Sequence, residues 1–166
     1  MKIIYRSILS AALFATLMAS SACTGSDNQR IPPAPVRIAF ATPGDWTVYG
    51  VPGALSYRTF IKPSQPSNFP FTALTETGFG GILLVGDVLG APRAYDLSCP
   101  VEARRDVRVQ IDTERMVAEC PRCHSTYAAF EYGAALSGEA SSLNYSLQRY
   151  NVVMPGPGGE YALVRN

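Results

Sequence analysis

The chain has 166 residues, 47% hydrophobic and 16% charged, with a formal net charge of +1; this sets about one domain with a sizeable core and argues against disorder. Near-neutrality gives no field for steering nucleic acid, and the one basic cluster, Arg104, Arg105 and Arg108, is interleaved with acids. A single histidine, His124, excludes a two-histidine iron triad, an H-E-x-x-H zinc site and a three-histidine zinc site within one chain, and any serine-histidine-aspartate triad would have to use it.

In chain order, Lys2 and Arg6 precede an apolar run from Ile8 to Ala19, which ends in Ser20-Ser21-Ala22 and then Cys23. A basic start, a short apolar stretch and small residues describe an export signal over residues 1–22. The run is short for a permanent membrane-spanning helix. A cysteine just after the small residues resembles a bacterial lipobox, where it receives lipid and becomes the mature N-terminus, although Ser20 departs from the aliphatic residue usual there. The alternative is a plain signal peptide cleaved near Ala22 that leaves Cys23 free. Residues 23–35 read as a tether: Thr24 to Gln29 are small and polar, and Pro32, Pro33 and Pro35 stiffen the approach to the first strand. Loss of Lys2 and Arg6 takes the balance from 14 basic against 13 acidic residues to 12 against 13, so lipid rather than charge would hold the mature chain at a membrane.

Residues 36–166 read as one all-β domain. Alternating and β-branched runs predict strands over Val36–Phe40, Trp46–Tyr49, Tyr57–Ile61, Gly81–Val88, Arg93–Asp96, Val107–Ile111 and Met116–Glu119, then over Thr126–Phe130, Leu147–Val153 and Tyr161–Val164. The breaks between them draw on 14 Gly and 13 Pro, as in Pro43-Gly44-Asp45 and Gly156-Pro157-Gly158-Gly159. Only Val101–Arg105 or Glu139–Leu143 leaves room for a helical turn, so at most one short helix is expected. The pattern predicts a small antiparallel sandwich or barrel. Gly78-Phe79-Gly80-Gly81 lacks the Lys-Ser/Thr of a phosphate loop and leads into a strand, so it reads as a bend. Trp46 and the tyrosines read as core and sheet-face residues.

With Cys23 lipidated, three thiols remain: Cys99, Cys120 and Cys123. Three cannot all pair within one chain. Cys120-Pro121-Arg122-Cys123 is a tight knuckle whose sulfurs can converge on one metal, and Cys99 sits in a similar Cys-Pro turn 21 residues earlier, across a hairpin expected from Val107 to Glu119. Two such loops at one end of a small sheet form a rubredoxin-like clamp, with a disulfide from Cys99 to Cys120 or Cys123 as the alternative. Glu102, three residues after Cys99, and His124, beside Cys123, are candidate fourth ligands; each is otherwise a solvated loop residue.

Residues 92–153 resemble a Rieske domain, in which Cys-x-His and Cys-x2-His loops hold a 2Fe-2S cluster. The second loop of that family, C-P-x-H-G-S-x-Y/F, is matched by Cys120-Pro121-Arg122-Cys123-His124-Ser125-Thr126-Tyr127. Its first loop is matched by Ala94-Tyr95-Asp96 and then Leu97-Ser98-Cys99-Pro100, and its downstream segments by Gly138-Glu139-Ala140 and Leu147-Gln148-Arg149-Tyr150-Asn151-Val152. The upstream strands from Val36 fit the base domain of a Rieske-like lipoprotein of the Bacteroidetes type. The resemblance implies cysteine ligands at Cys99 and Cys120, and hydroxyls at Ser125 and Tyr127 that hydrogen-bond the cluster and its ligands. Both histidine positions are substituted, by Val101 and Cys123, so two-histidine ligation of one iron cannot be assembled.

The expected function is a lipid-anchored protein of the bacterial cell envelope, at the outer membrane, that binds a 2Fe-2S cluster and passes single electrons to an envelope partner. A stand-alone enzyme is not expected. The alternative is a redox-silent module of the same fold with structural zinc or a disulfide, serving as a binding or accessory protein.

Overall fold

The computed structural model describes residues 30–166; the expected export signal, Cys23 and the tether as far as residue 29 lie outside the described residues. In chain order come β1 (Val36–Phe40), α1 (Pro43–Tyr49), β2 (Tyr57–Phe60), β3 (Glu76–Thr77), β4 (Ile82–Gly86), β5 (Pro92–Asp96), β6 (Gln110–Asp112) and β7 (Val117–Glu119). These are followed by β8 (Thr126–Tyr127), β9 (Ala135–Ser137), α2 (Gly138–Leu143), β10 (Arg149–Val153) and β11 (Ala162–Arg165). The fold is all-β, as expected.

Seven strands form one antiparallel sheet in the order β2-β4-β5-β10-β11-β1-β3, and β6-β7-β8-β9 form a second. Lys62, just past β2, donates from its backbone to Thr77 Oγ1 in β3 at 3.4 Å and from Nζ to the Thr75 carbonyl at 2.7 Å. These bonds draw the two edges of the larger sheet into a nearly closed barrel.

Strand β4 explains why the sequence carries an unbroken apolar run there. Ile82 and Leu84 face the barrel interior, among Ile38, Phe40, Trp46, Phe60 and Phe69. Leu83 and Val85 face the other way, into a second core with Tyr95, Leu97, Tyr127 and Leu147. A strand buried on both faces has no polar alternation to show. The interior of the barrel is aromatic: Phe40 meets Trp46 edge-on at 4.9 Å between ring centroids, and Phe60 meets Phe69 at 5.1 Å.

One expected strand is a helix. Trp46–Tyr49 belongs to α1, because Thr42 caps it: Thr42 Oγ1 accepts from the Asp45 backbone at 3.1 Å and Asp45 Oδ2 accepts from the Thr42 backbone at 2.9 Å. This reciprocal box, with Pro43 in the first turn, outweighs the β preference of Trp, Thr, Val and Tyr. With α2 at Gly138–Leu143 the domain has two short helices rather than one. The Val101–Arg105 segment is turn, and Val107–Ile111 yields strand only from Gln110.

The second core is the seam that positions the cysteines. After β5, Leu97 and Ser98 run on beside the segment before β6, where Ser98 pairs with Arg108. Cys99 follows directly. Cys120 ends the β6–β7 hairpin, whose register sets Gln110 opposite Glu119, and the loop from Cys120 to Ser125 leads into β8.

Candidate metal centre

Cys99, Cys120 and Cys123 converge, with their three Sγ atoms all within 4.8 Å of one another. Cys99 and Cys120 are fully buried, Cys123 is partly exposed, and all three are free thiols. The Sγ atoms of Cys99 and Cys123 are 3.6 Å apart. The sequence places Cys99 in one loop and Cys120 and Cys123 in another; the antiparallel pairing of β6 and β7 brings the two loops together.

Two hydroxyls meet the sulfurs. Tyr127 OH, fully buried in β8, lies 3.4 Å from Cys99 Sγ, and Cys123 Sγ donates to Ser125 Oγ at 3.3 Å. Ser125 Oγ also accepts from the Ala140 backbone at 3.1 Å, which pins the start of α2 to the second cysteine loop. Gly138 makes that approach possible: a Cβ there would come within 2.8 Å of Ser125 Oγ, and the backbone is left-handed at φ +76.

The electrostatics of the three thiols differ. Burial pushes the Cys99 thiol up to about 12, with the neighbouring Cys120 thiol adding to the rise, against the Tyr127 hydroxyl and the Glu102 N–H. Burial acts the same way on Cys123, but the Ser125 hydroxyl and backbone and the two neighbouring thiols outweigh it and hold that thiol below its ordinary value. Burial, together with the Cys99 sulfur, raises the Tyr127 hydroxyl far above its ordinary value, so it stays a neutral donor.

Glu102 and His124 stand outside the three-sulfur group. Glu102 Oε2 is 3.2 Å from Arg122 Nε, with its side chain 17% exposed. His124 is 74% exposed and its Nδ1 lies 3.2 Å from Glu119 Oε1, a carboxylate that Arg115 also engages.

Sequence reasoning gave no role to Asp96, which anchors the first loop. Its fully buried carboxylate accepts from the backbone of Phe79 at 2.8 Å, Gly80 at 3.1 Å and Ser98 at 2.8 Å, and from Tyr150 OH at 2.8 Å. Gly80 packs so tightly that a Cβ would fall 1.9 Å from Ser98 Oγ. The signal was a carboxylate closing the Ala94-Tyr95-Asp96 run, with a glycine-rich bend before it in the chain; a buried carboxylate of that kind needs several donors.

Three thiols at this spacing have the chemistry of a soft-metal site. A tetrahedral ion with bonds of about 2.3 Å to sulfur separates its sulfurs by about 3.8 Å. No family model matches the chain, and no curated protein or solved structure is similar enough to count as a match.

Proposed function

We propose that this chain is a metal-binding module of the cell envelope in which Cys99, Cys120 and Cys123 hold one metal ion as thiolates. The observation that carries this reading is the convergence of the three sulfurs within 4.8 Å, with those of Cys99 and Cys123 3.6 Å apart. Three thiolates and one nitrogen or oxygen donor form a zinc-type set, closed and redox-silent, so the ion's role is structural: it fastens the seam between the two sheets. Anchoring at the outer membrane through a lipidated Cys23 belongs to the same proposal, and Cys23→Ala should move the protein out of the membrane fraction or leave its leader uncleaved.

A Rieske-like 2Fe-2S centre with envelope electron transfer is the second reading. It is favoured by Tyr127 and Ser125, whose hydroxyls meet Cys99 and Cys123 where the resemblance puts them. Against it, a two-iron cluster spreads thiolates bound to different irons farther apart than thiolates sharing one ion. A three-thiolate cluster would also fall below the roughly −150 to +300 mV of histidine-ligated centres.

Metal analysis of anaerobically purified full-length protein separates the readings. One zinc per chain, lost in Cys120→Ser and Cys123→Ser, is the expected result. Two irons with acid-labile sulfide would favour the cluster, and a metal-free chain with a Cys99 disulfide would end both.

A further inference from the structure

The two cysteine loops have the same backbone. Cys99-Pro100-Val101-Glu102-Ala103 and Cys120-Pro121-Arg122-Cys123-His124 both place proline second. In each, the fifth residue's N–H donates to the first residue's carbonyl, at 2.8 Å for Ala103 to Cys99 and 3.0 Å for His124 to Cys120. Each fifth residue is left-handed, with φ +49 at Ala103 and +55 at His124. Equivalent positions therefore pair Cys99 with Cys120 and Glu102 with Cys123. In the second loop the fourth position supplies a thiol to the site; in the first loop that position is Glu102.

The geometry points to Glu102 as the fourth ligand of the ion held by Cys99, Cys120 and Cys123, with Arg122 holding its carboxylate beside the second loop. This rests on the proposed metal-binding function. The Glu102 side chain, though in a loop, is only 17% exposed and reaches across to the opposite loop, where Arg122 Nε lies 3.2 Å from Oε2. A carboxylate offers two oxygens, so it can serve a guanidinium and a metal together. Zinc takes carboxylate oxygen as readily as nitrogen. Three thiolates and a carboxylate around a divalent ion leave a net charge of −2, which the adjacent Arg122 partly offsets. His124 has no such place: it is a fifth residue, its counterpart Ala103 has no side-chain atom that could bind a metal, and its ring meets Glu119.

The test is anaerobic titration of the reduced full chain with Co2+, read by its sulfur-to-cobalt and d–d absorption, with Zn2+ affinity measured by chelator competition. Wild type should give a tetrahedral three-thiolate spectrum. Glu102→Gln should keep the three-thiolate charge-transfer intensity but weaken Zn2+ binding by at least about tenfold. Glu102→Cys should add a fourth thiolate's charge-transfer intensity, and His124→Ala should change neither reading. Urea midpoints of the metal-free variants show whether each still folds. Unchanged affinity in Glu102→Gln, no added intensity in Glu102→Cys, or loss of affinity in His124→Ala would overturn Glu102 as ligand while leaving the three-thiolate site standing. Failure of wild type to bind either ion would remove both.

Discussion

Ala103 and His124 show how single residues set which side chains face the site. Each closes a cysteine loop in the left-handed region, and in the second loop the residue before it, Cys123, joins Cys120 in the three-sulfur group. A left-handed alanine costs about 1 kcal/mol relative to glycine, which populates that region freely. Ala103→Gly should therefore raise stability by about 1 kcal/mol, read as a higher urea midpoint at unchanged slope. A lower midpoint would mean that the methyl group packs usefully against the first loop. The two cysteine-proline pairs made the convergence of the loops readable from sequence. The placement of Glu102 against Arg122 and of His124 against Glu119 was not readable, because it depends on how the folded loops meet their neighbours rather than on residue spacing.

Among the elements, the turn joining β4 to β5 carries a self-contained charge cluster. Asp87 accepts from the backbone of Leu89 at 2.9 Å and Ala91 at 2.8 Å and pairs with Arg93 at 2.7 Å, while Arg93 lies over the Tyr132 ring at 4.1 Å. Burial alone would raise the Asp87 carboxyl, but the two N–H donors and the guanidinium hold it below its ordinary value of 3.8. Its folded-state pKa thus lies below the unfolded one. The resulting stability is fully present above the ordinary value and is lost as pH falls through the folded-state pKa. Asp87→Asn should destabilise the domain at neutral pH, and the gap from wild type should close in acid below about pH 4. Chemical denaturation at several pH values checks this; a gap independent of pH would show that packing rather than charge sets the effect. Elements of this length also mark the limits of sequence reading. The strands β1, β4, β5 and β10, five residues each, lie close to their expected places because each is long enough to show a β-branched, aromatic or apolar pattern. The two-residue β3 and three-residue β9 are too short to make a period, and α1 was hidden because Pro43-Gly44-Asp45 reads as a turn before the reciprocal capping of Thr42 and Asp45 is seen.

Across the whole molecule, two cores share the strand pair β4–β5. One fills the barrel, and the other lies between the barrel and the small sheet and ends in the thiols. The short β-branched and alternating runs between Gly and Pro breaks made an all-β body readable, but the division into two cores depends on long-range pairing that no local pattern encodes. Among the described residues no helix is long and apolar enough to cross a membrane. The small sheet has only short strands, so an ion bound at Cys99, Cys120 and Cys123 ties it covalently to the end of β5 and stabilises the native state by mass action. Native mass spectrometry of the full chain, purified without oxygen, tests this account most directly. It predicts a mass greater by one metal ion, less the protons that the thiols lose on binding it. A mass greater by two irons and two sulfides, or a metal-free chain two hydrogens light from a disulfide, would contradict it.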